Sequence, residues 1–355
     1  MSTPVVGNAK INRRGWIDYS RGFVIIYVVY RHAMTGLLAA GIPINNAIYL
    51  IQESSMPVFF IVSGIFIKAS ADKRGLGTFI KFKLESLIYP YLIWGGIHLS
   101  IQILLSEYTN YEKDIFYFTY LLTQPRAVDQ FWYLYALFSV MVIFVGLNLA
   151  WLKFKVLPNM LVALVLYLSS YFVSTDWFSI NDILFYYLFL CVGFLMSEYM
   201  LPVNNQFFTG RWILFVLPIF VALQFFWWSR YVGIHRLEQL DFLGFWMFIP
   251  ITLIGAFLIF FIAHKLDEWN ALKFLKYIGG HSLYIYIMHL IFSAAVRVFL
   301  LKVWPELPPF VMLIIVIISS ILMSIGTYKV LMKLNMKFLF EPTLEGFPFF
   351  GKKLQ

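Results

Sequence analysis

Runs of about 20 apolar residues recur along the whole chain, separated by short charged stretches, and nothing else in it restricts the fold as tightly. A helix of that length spans the roughly 30 Å hydrocarbon core of a bilayer. In lipid every backbone N–H and C=O must be satisfied internally, which leaves helices and closed barrels. Barrel strands alternate apolar and polar residues over about ten positions, and these runs do not. Ten spans are expected, at about 17–38, 46–67, 85–105, 131–150, 156–174, 182–200, 211–229, 242–263, 282–301 and 309–331. Composition agrees: 61% of residues are hydrophobic and only 13% charged, against about 25% charged in soluble domains. The aromatic share of 20% suits lipid-facing surfaces and interfacial belts. The fold class is therefore all-α, a polytopic membrane protein.

The net charge of +9 would suggest nucleic acid in a soluble protein, but its distribution argues for topology instead. With the amino terminus inside, 19 of the 27 Lys and Arg residues fall on inside segments and five on outside loops. Cytoplasmic loops carry such an excess, so both termini are expected in the cytoplasm. No loop is long enough for a second domain. The expectation is one transmembrane domain over 1–355, with a cytoplasmic segment 1–16 and a short, surface-bound cytoplasmic tail 334–355. The longest outside segment, about 106–130, is expected to form a short lid or an interfacial helix. No internal repeat is visible, which counts against repeat-built transporters. The first apolar run is interrupted by Asp18 and Arg21 and lacks a small-residue cleavage pattern, so it is expected to remain in the protein. One cysteine, Cys191, excludes an intramolecular disulfide and a thiolate metal cluster, and no metal site is expected.

Ionisable residues inside spans cost at least about 2.5–3.5 kcal/mol each on insertion scales, so they mark candidate sites. The first span holds Asp18, Arg21, Arg31 and His32. At 100° per residue, Arg21 and His32 lie about 20° apart around a helix, and Asp18 falls on the same stripe. An interfacial ion pair would equally explain Asp18 with Arg21. His32 lies about 21 Å of helix rise beyond Asp18, in the outer half. Glu53 is a buried-acid candidate, and Ser63-Gly64 offers either close helix packing or a polar contact. The inside loop carries Lys68, Lys73, Arg74, Lys81 and Lys83, from which Arg74, Lys81 and Lys83 are candidates for a phosphate-bearing ligand; anionic headgroups would also draw such a cluster. Trp132, in Gln130-Phe131-Trp132-Tyr133, belongs to an aromatic belt or borders a sugar site. Ser282, Tyr284 and His289 open the ninth span, with Ser282 and His289 on one face. His98, His235 and His264 stand without comparable company.

Taken in order, these residues carry a resemblance. Asp18-x-x-Arg21-Gly22 with His32, then Met56-Pro57-x-Phe59-Phe60-x-x-Ser63-Gly64, then Phe131-Trp132-Tyr133-Leu134, then Gly279-x-x-Ser282-Leu283-Tyr284 with His289 resemble the integral-membrane acyltransferase-3 family. Within it the chain is similar to the fucose 4-O-acetylase-like branch. The resemblance implies a ten-helix fold that takes an acyl group, usually acetyl, from cytoplasmic acetyl-CoA or another acyl-CoA. The group passes to a hydroxyl of an extracytoplasmic glycan or lipid-linked sugar. It implies essential roles for Arg21 and His32, a location in the bacterial plasma membrane, contact with membrane lipid and none with nucleic acid. An oligomer of identical chains is compatible with it. The basic stretch of the family maps loosely onto Lys81 and Lys83, with Glu85 and Ser86 where relatives often carry arginine, and Ser55 stands where many have histidine.

The mechanism expected from this places the donor phosphates near Lys81, Lys83 and Arg74, with His32 as general base or covalent acyl relay. Asp18 and Arg21 lie about 16–21 Å of rise from His32, too far to form a triad with it. They would order the cytoplasmic mouth or meet the donor, while Arg31, Glu53, Ser63, Trp132, Ser282, Tyr284 and His289 would support the site. Two rival classes share these features: a transporter or flippase for lipid-linked sugars, and a non-catalytic subunit of a polysaccharide export complex. Turnover of acyl-CoA separates the enzyme from both.

Overall fold

The computed structural model describes residues 15–44, 52–105, 113–200, 210–231 and 239–342, and among these every regular element is helical. The expected N-terminal segment up to residue 14 and the tail from 343 lie outside the described residues, as does the start of the second span.

In chain order the helices are α1 (Gly15–Ala39), α2 (Gln52–Ile65), α3 (Ile67–Arg74), α4 (Leu76–Lys83), α5 (Tyr89–Leu104), α6 (Tyr117–Thr123) and α7 (Trp132–Leu147). They are followed by α8 (Val156–Phe172), α9 (Ile180–Leu195), α10 (Ile213–Tyr231), α11 (Phe242–Glu268), α12 (Lys273–Gly280), α13 (Ser282–Val303) and α14 (Pro309–Lys333). Among the described residues, eight stretches are long and apolar enough to cross a membrane: α1, α4–α5, α7, α9, α10, α11, α13 and α14. The two other expected spans are also helices. The second is α2 with α3, bent by 41° at Phe66, where the Phe66 N–H reaches back three residues to Ser63 O. The fifth is α8, whose 17 residues fall short of the usual 20 or so. The third span starts at Leu76 and not near 85, because one π-helical turn over Leu84–Ile88 carries α4 into α5 without a break.

The end bearing the Lys/Arg-rich segments is termed inner, following the charge count, and the opposite end outer. α1 runs through the centre, packed against α2, α11, α12, α13 and α14. Two glycine crossings set its depth. A Cβ on Gly22 would collide with the Leu275 carbonyl of α12, and one on Gly279 with the Asp18 carbonyl of α1. The Arg21-Gly22 and Gly279 motif positions thus let two backbones touch. Gly64 and Gly193 do the same for α2 and α9, against Leu190 and Ile61 carbonyls. Ser63-Gly64 is a packing element, as one of its two readings held.

Of the expected surface-bound tail, the described residues 334–342 pack back on the bundle. Tyr89 OH donates to Phe338 O (2.5 Å) and Trp94 Nε1 to Leu339 O (2.9 Å), and Phe340 seats beside Trp94 and Tyr284. Of the expected outside segment 106–130, residues 106–112 lie outside the described residues, and the rest forms α6 and two 3₁₀ turns.

Candidate functional site

The α1–α12 crossing starts α13 opposite the middle of α1, and this register brings His32 against His289. Their ring centroids are 5.2 Å apart with a 52° tilt. His289 is fully buried, and its Nδ1 lies 3.0 Å from Ile285 O and 2.8 Å from Tyr286 O. Two carbonyl acceptors require the proton on Nδ1, so Nε2 carries the lone pair. That Nε2 is buried with no hydrogen-bond partner among the described residues. A buried polar atom left unsatisfied is costly, and such atoms in native proteins point to a ligand or a catalytic role.

His32 is half-buried and lines two cavities, one on each side of it. The first, about 350 Å³, lies towards the outer end among α1, α2, α7, α9 and α11, and is polar and aromatic. Arg31, Glu53, Arg126, Gln130, Trp132 and Trp227 are in its wall. Glu53 is 4% exposed, its Oε2 has no hydrogen-bond partner among the described residues, and Arg31 lies within electrostatic reach of it. Arg126 is fixed by Asp182, with Nε donating to Oδ2 at 2.8 Å and Nη2 to Oδ1. The same guanidinium lies 4.2 Å above the Trp132 ring. Burial disfavours the charge on Arg126, but Asp182 more than offsets this and holds its pKa above the ordinary value. The expected aromatic belt residue Trp132 is therefore a wall of this cavity, oriented by an ion pair.

The second cavity, about 610 Å³, lies between α1, α5 and α13 and is mainly apolar. His32, Thr35 and Asp129 belong to both. Asp129 adopts a left-handed backbone (φ 48°), and its Oδ2 accepts from Lys113 Nζ (2.7 Å) and Gln102 Nε2 (2.9 Å). His98 Nδ1 stands 3.9 Å from the same oxygen. Both His98 ring nitrogens are buried without a hydrogen-bond partner among the described residues, and His98 lies within electrostatic reach of His32 and His289. The expectation that His98 stands alone is corrected here: α5 carries it into the wall that His32 faces.

The remaining candidates gather at the inner end. Asp18 and Arg21 form a loose pair at 4.0 Å, and neither lines either cavity. Lys83 lies within electrostatic reach of both Arg74 and Arg21. Arg74 covers the Phe82 ring at 4.1 Å and Lys83 the same ring at 5.3 Å. Lys81 is exposed. Arg21, Arg74 and Lys83 thus converge from α1, α3 and α4, separated in sequence by up to 62 positions. Ser63, Ser282 and Tyr284 line neither cavity. Ser63 sits at the α2–α3 bend, and Tyr284 stacks on Tyr328 with centroids 3.6 Å apart, so a shared helix face did not carry Ser282 to His289's site.

Between the two ends stands an aromatic partition. Tyr133 lies within electrostatic reach of Arg21, packs edge-on to Tyr286 at 5.4 Å, and Tyr286 lies 6.2 Å from His289. Tyr286 OH donates to Gln130 O. The Phe131-Trp132-Tyr133 motif and the α13 motif therefore meet beside the histidines. Sequence reasoning missed Arg126, Asp129, Tyr286, His98 and Asp182; the signal available was an acid two residues into a long apolar run at Asp182. No group of three or more His, Cys, Asp or Glu side chains arranged to hold a metal occurs among the described residues.

No curated protein and no solved structure shows significant similarity to the chain. The model of the acyltransferase domain family acyltransferase-3 matches residues 14–329. That match runs from the start of α1 almost to the end of α14 and takes in every motif that builds the two-histidine site. The chain is a multi-pass membrane protein and belongs to the acyltransferase-3 family of acyltransferases.

Proposed function

We propose that this protein is an O-acyltransferase of the bacterial plasma membrane, moving an acyl group from cytoplasmic acyl-CoA to a hydroxyl of an extracytoplasmic glycan or lipid-linked sugar. One observation carries the reading: His32 lines two cavities, beside a second imidazole whose Nε2 has no hydrogen-bond partner among the described residues. The acceptor sugar would occupy the polar cavity, where Trp132 and Trp227 offer flat apolar faces and Glu53, Arg31 and Gln130 offer hydrogen bonds. The fucose 4-O-acetylase-like branch suits such a sugar acceptor.

The donor enters from the inner end. Arg74, Lys83 and Arg21 supply positive charge for its phosphates, with exposed Lys81 adding to the attraction. Its arm passes the Tyr133–Tyr286 partition to bring the thioester to His32. The acceptor hydroxyl gives its proton to His32 while its oxygen bonds to the carbonyl carbon. The carbon–sulfur bond then breaks, its electron pair leaves on sulfur, and the proton returns from the imidazole to the thiolate. General-base help of this kind is typically worth about 10²–10⁴-fold. His289, held in one tautomer by two backbone carbonyls, provides a second basic nitrogen for that proton.

Purified protein in nanodiscs, given acetyl-CoA and methyl fucoside, is expected to release free CoA. His32→Ala is expected to lower that rate by at least about 10²-fold with an unchanged melting temperature. Full activity in the variant rejects the assignment. A wild-type protein that never consumes acyl-CoA but moves lipid-linked sugar across vesicles would support the transporter class instead.

A further inference from the structure

The second cavity at His32 has no task in a reaction between an acetyl thioester and a sugar hydroxyl. Its wall is mostly hydrocarbon, from Ala33 of α1, Ile101 of α5, and Leu290, Ile291, Ala294 and Val298 of α13. Its margin includes Leu105 at the end of α5 and Ala295 of α13, both exposed. At about 610 Å³ it is larger than the polar cavity and falls within the range of sites that hold drug-sized ligands. Water gains little in such a chamber, and an apolar chain fills it favourably.

Connectivity identifies the chain. A thioester carbon attacked beside His32 carries four groups: its own carbonyl oxygen, a single atom that needs no cavity, and the incoming oxygen, the leaving sulfur and the acyl chain, each of which leads into a larger body. The polar cavity with Glu53, Arg31 and Trp132 suits the hydroxylated acceptor. The sulfur lies on the side of the inner basic cluster. The apolar cavity, which shares His32, Thr35 and Asp129 with the other as wall residues, is left for the acyl chain. Resting on the acyl-transfer reading above, we infer that the cavity between α1, α5 and α13 receives the acyl chain during transfer, and that the donor is an acyl-CoA with a medium-length hydrocarbon chain. An acetyl group would place a single methyl at its mouth and leave the rest unfilled. The bonds made and broken are those given above, and chain length alters none of them.

Arg297 also lines this cavity. Its guanidinium packs against Gly36, one helical turn outward of His32, so a short acyl chain ending in carboxylate is the competing occupant. The test compares acetyl-, butyryl-, octanoyl- and succinyl-CoA on full-length protein in nanodiscs, with methyl fucoside as acceptor and free CoA as readout. Each methylene in an apolar site changes discrimination by roughly 10–200-fold, so octanoyl-CoA should exceed acetyl-CoA in kcat/KM by at least about tenfold. Ala294→Trp, which fills the cavity, should reduce the octanoyl-to-acetyl ratio by about tenfold or more. Val298→Phe serves the same purpose should Ala294→Trp fail to fold, as judged by its melting curve. Acetyl-CoA used as well as octanoyl-CoA, succinyl-CoA used fastest, or a ratio untouched by a folded cavity-filling variant would each overturn the inference while leaving acyl transfer intact. No thioester consumed at all would remove the acyl-transfer reading, and this inference with it.

Discussion

Replacing Asp182 by alanine isolates the ion pair that holds one wall of the polar cavity. The Asp182 side chain is 2% exposed and that of Arg126 22%, and two N–H bonds join them. Without the carboxylate, a partly buried guanidinium keeps two unfilled donors. Breaking a buried pair from one side costs about 3–5 kcal/mol, and the partial exposure of Arg126 places this case near about 3 kcal/mol. Unfolding entropy of roughly 2.1 cal/mol/K per residue, over 355 residues, converts that into a melting temperature lower by about 4 °C. Pairing Asp182→Ala with Arg126→Met removes the orphaned charge and should return most of the loss, because replacing a whole buried pair by apolar groups is often neutral or stabilising. Trp132 loses the cation stacked over it in the double variant, so KM for the acceptor should rise while kcat changes little. Differential scanning fluorimetry and CoA release measure the two effects. A single variant as stable as the parent, or a double variant no better than the single, would refute the view that this pair anchors the wall.

Three further outcomes are expected. His98→Leu removes a ring with two buried, unpartnered nitrogens, so stability should hold or rise while CoA release falls at least about tenfold; equal loss of both would mark His98 as structural only. Gly279→Val puts a side chain into the Asp18 carbonyl, an overpacking that costs about 1–3 kcal/mol or more, read as a lowered melting temperature; a variant melting with the parent would show that α1 and α12 do not cross this closely. Asp241 caps α11, accepting from Gly244 N and Tyr231 OH at 2.7 Å each, and these bonds lower its pKa. A depressed folded pKa means that its contribution is complete above the unfolded value of about 3.9 and is lost as pH falls through the folded value. The parent should therefore lose stability on acidification below about pH 4 by more than Asp241→Asn does; identical acid profiles would contradict this.

Much of the site was legible in the sequence because lipid makes ionisable residues conspicuous. Arg31, His32, Glu53 and His289 stood out as charges or imidazoles in apolar runs, and all four lie at or beside the polar cavity. Asp18 and Arg21 stood out for the same reason, Arg74 and Lys83 as part of a dense basic cluster, and they gather at the other end. Ser282 and Tyr284 line neither cavity, because helical periodicity gives a face and no depth. His98 was passed over because a lone histidine in an apolar run has no sequence neighbour to flag it. Its company, Lys113 and Asp129, lies 15 and 31 positions away and is assembled only in three dimensions.

Segment length, apolar content and the placement of Lys and Arg fixed the class of fold, since a bilayer accepts backbone only when its polar groups are paired within each span. Which spans touch, and at what height, was decided by close approach at Gly22, Gly279, Gly64 and Gly193, where backbones meet because no Cβ intervenes. Those crossings set His32 beside His289 and opened one polar and one apolar cavity on either side of it. A linear pattern holds no such information, because helix depth and cavity shape depend on the summed packing of residues far apart in the chain.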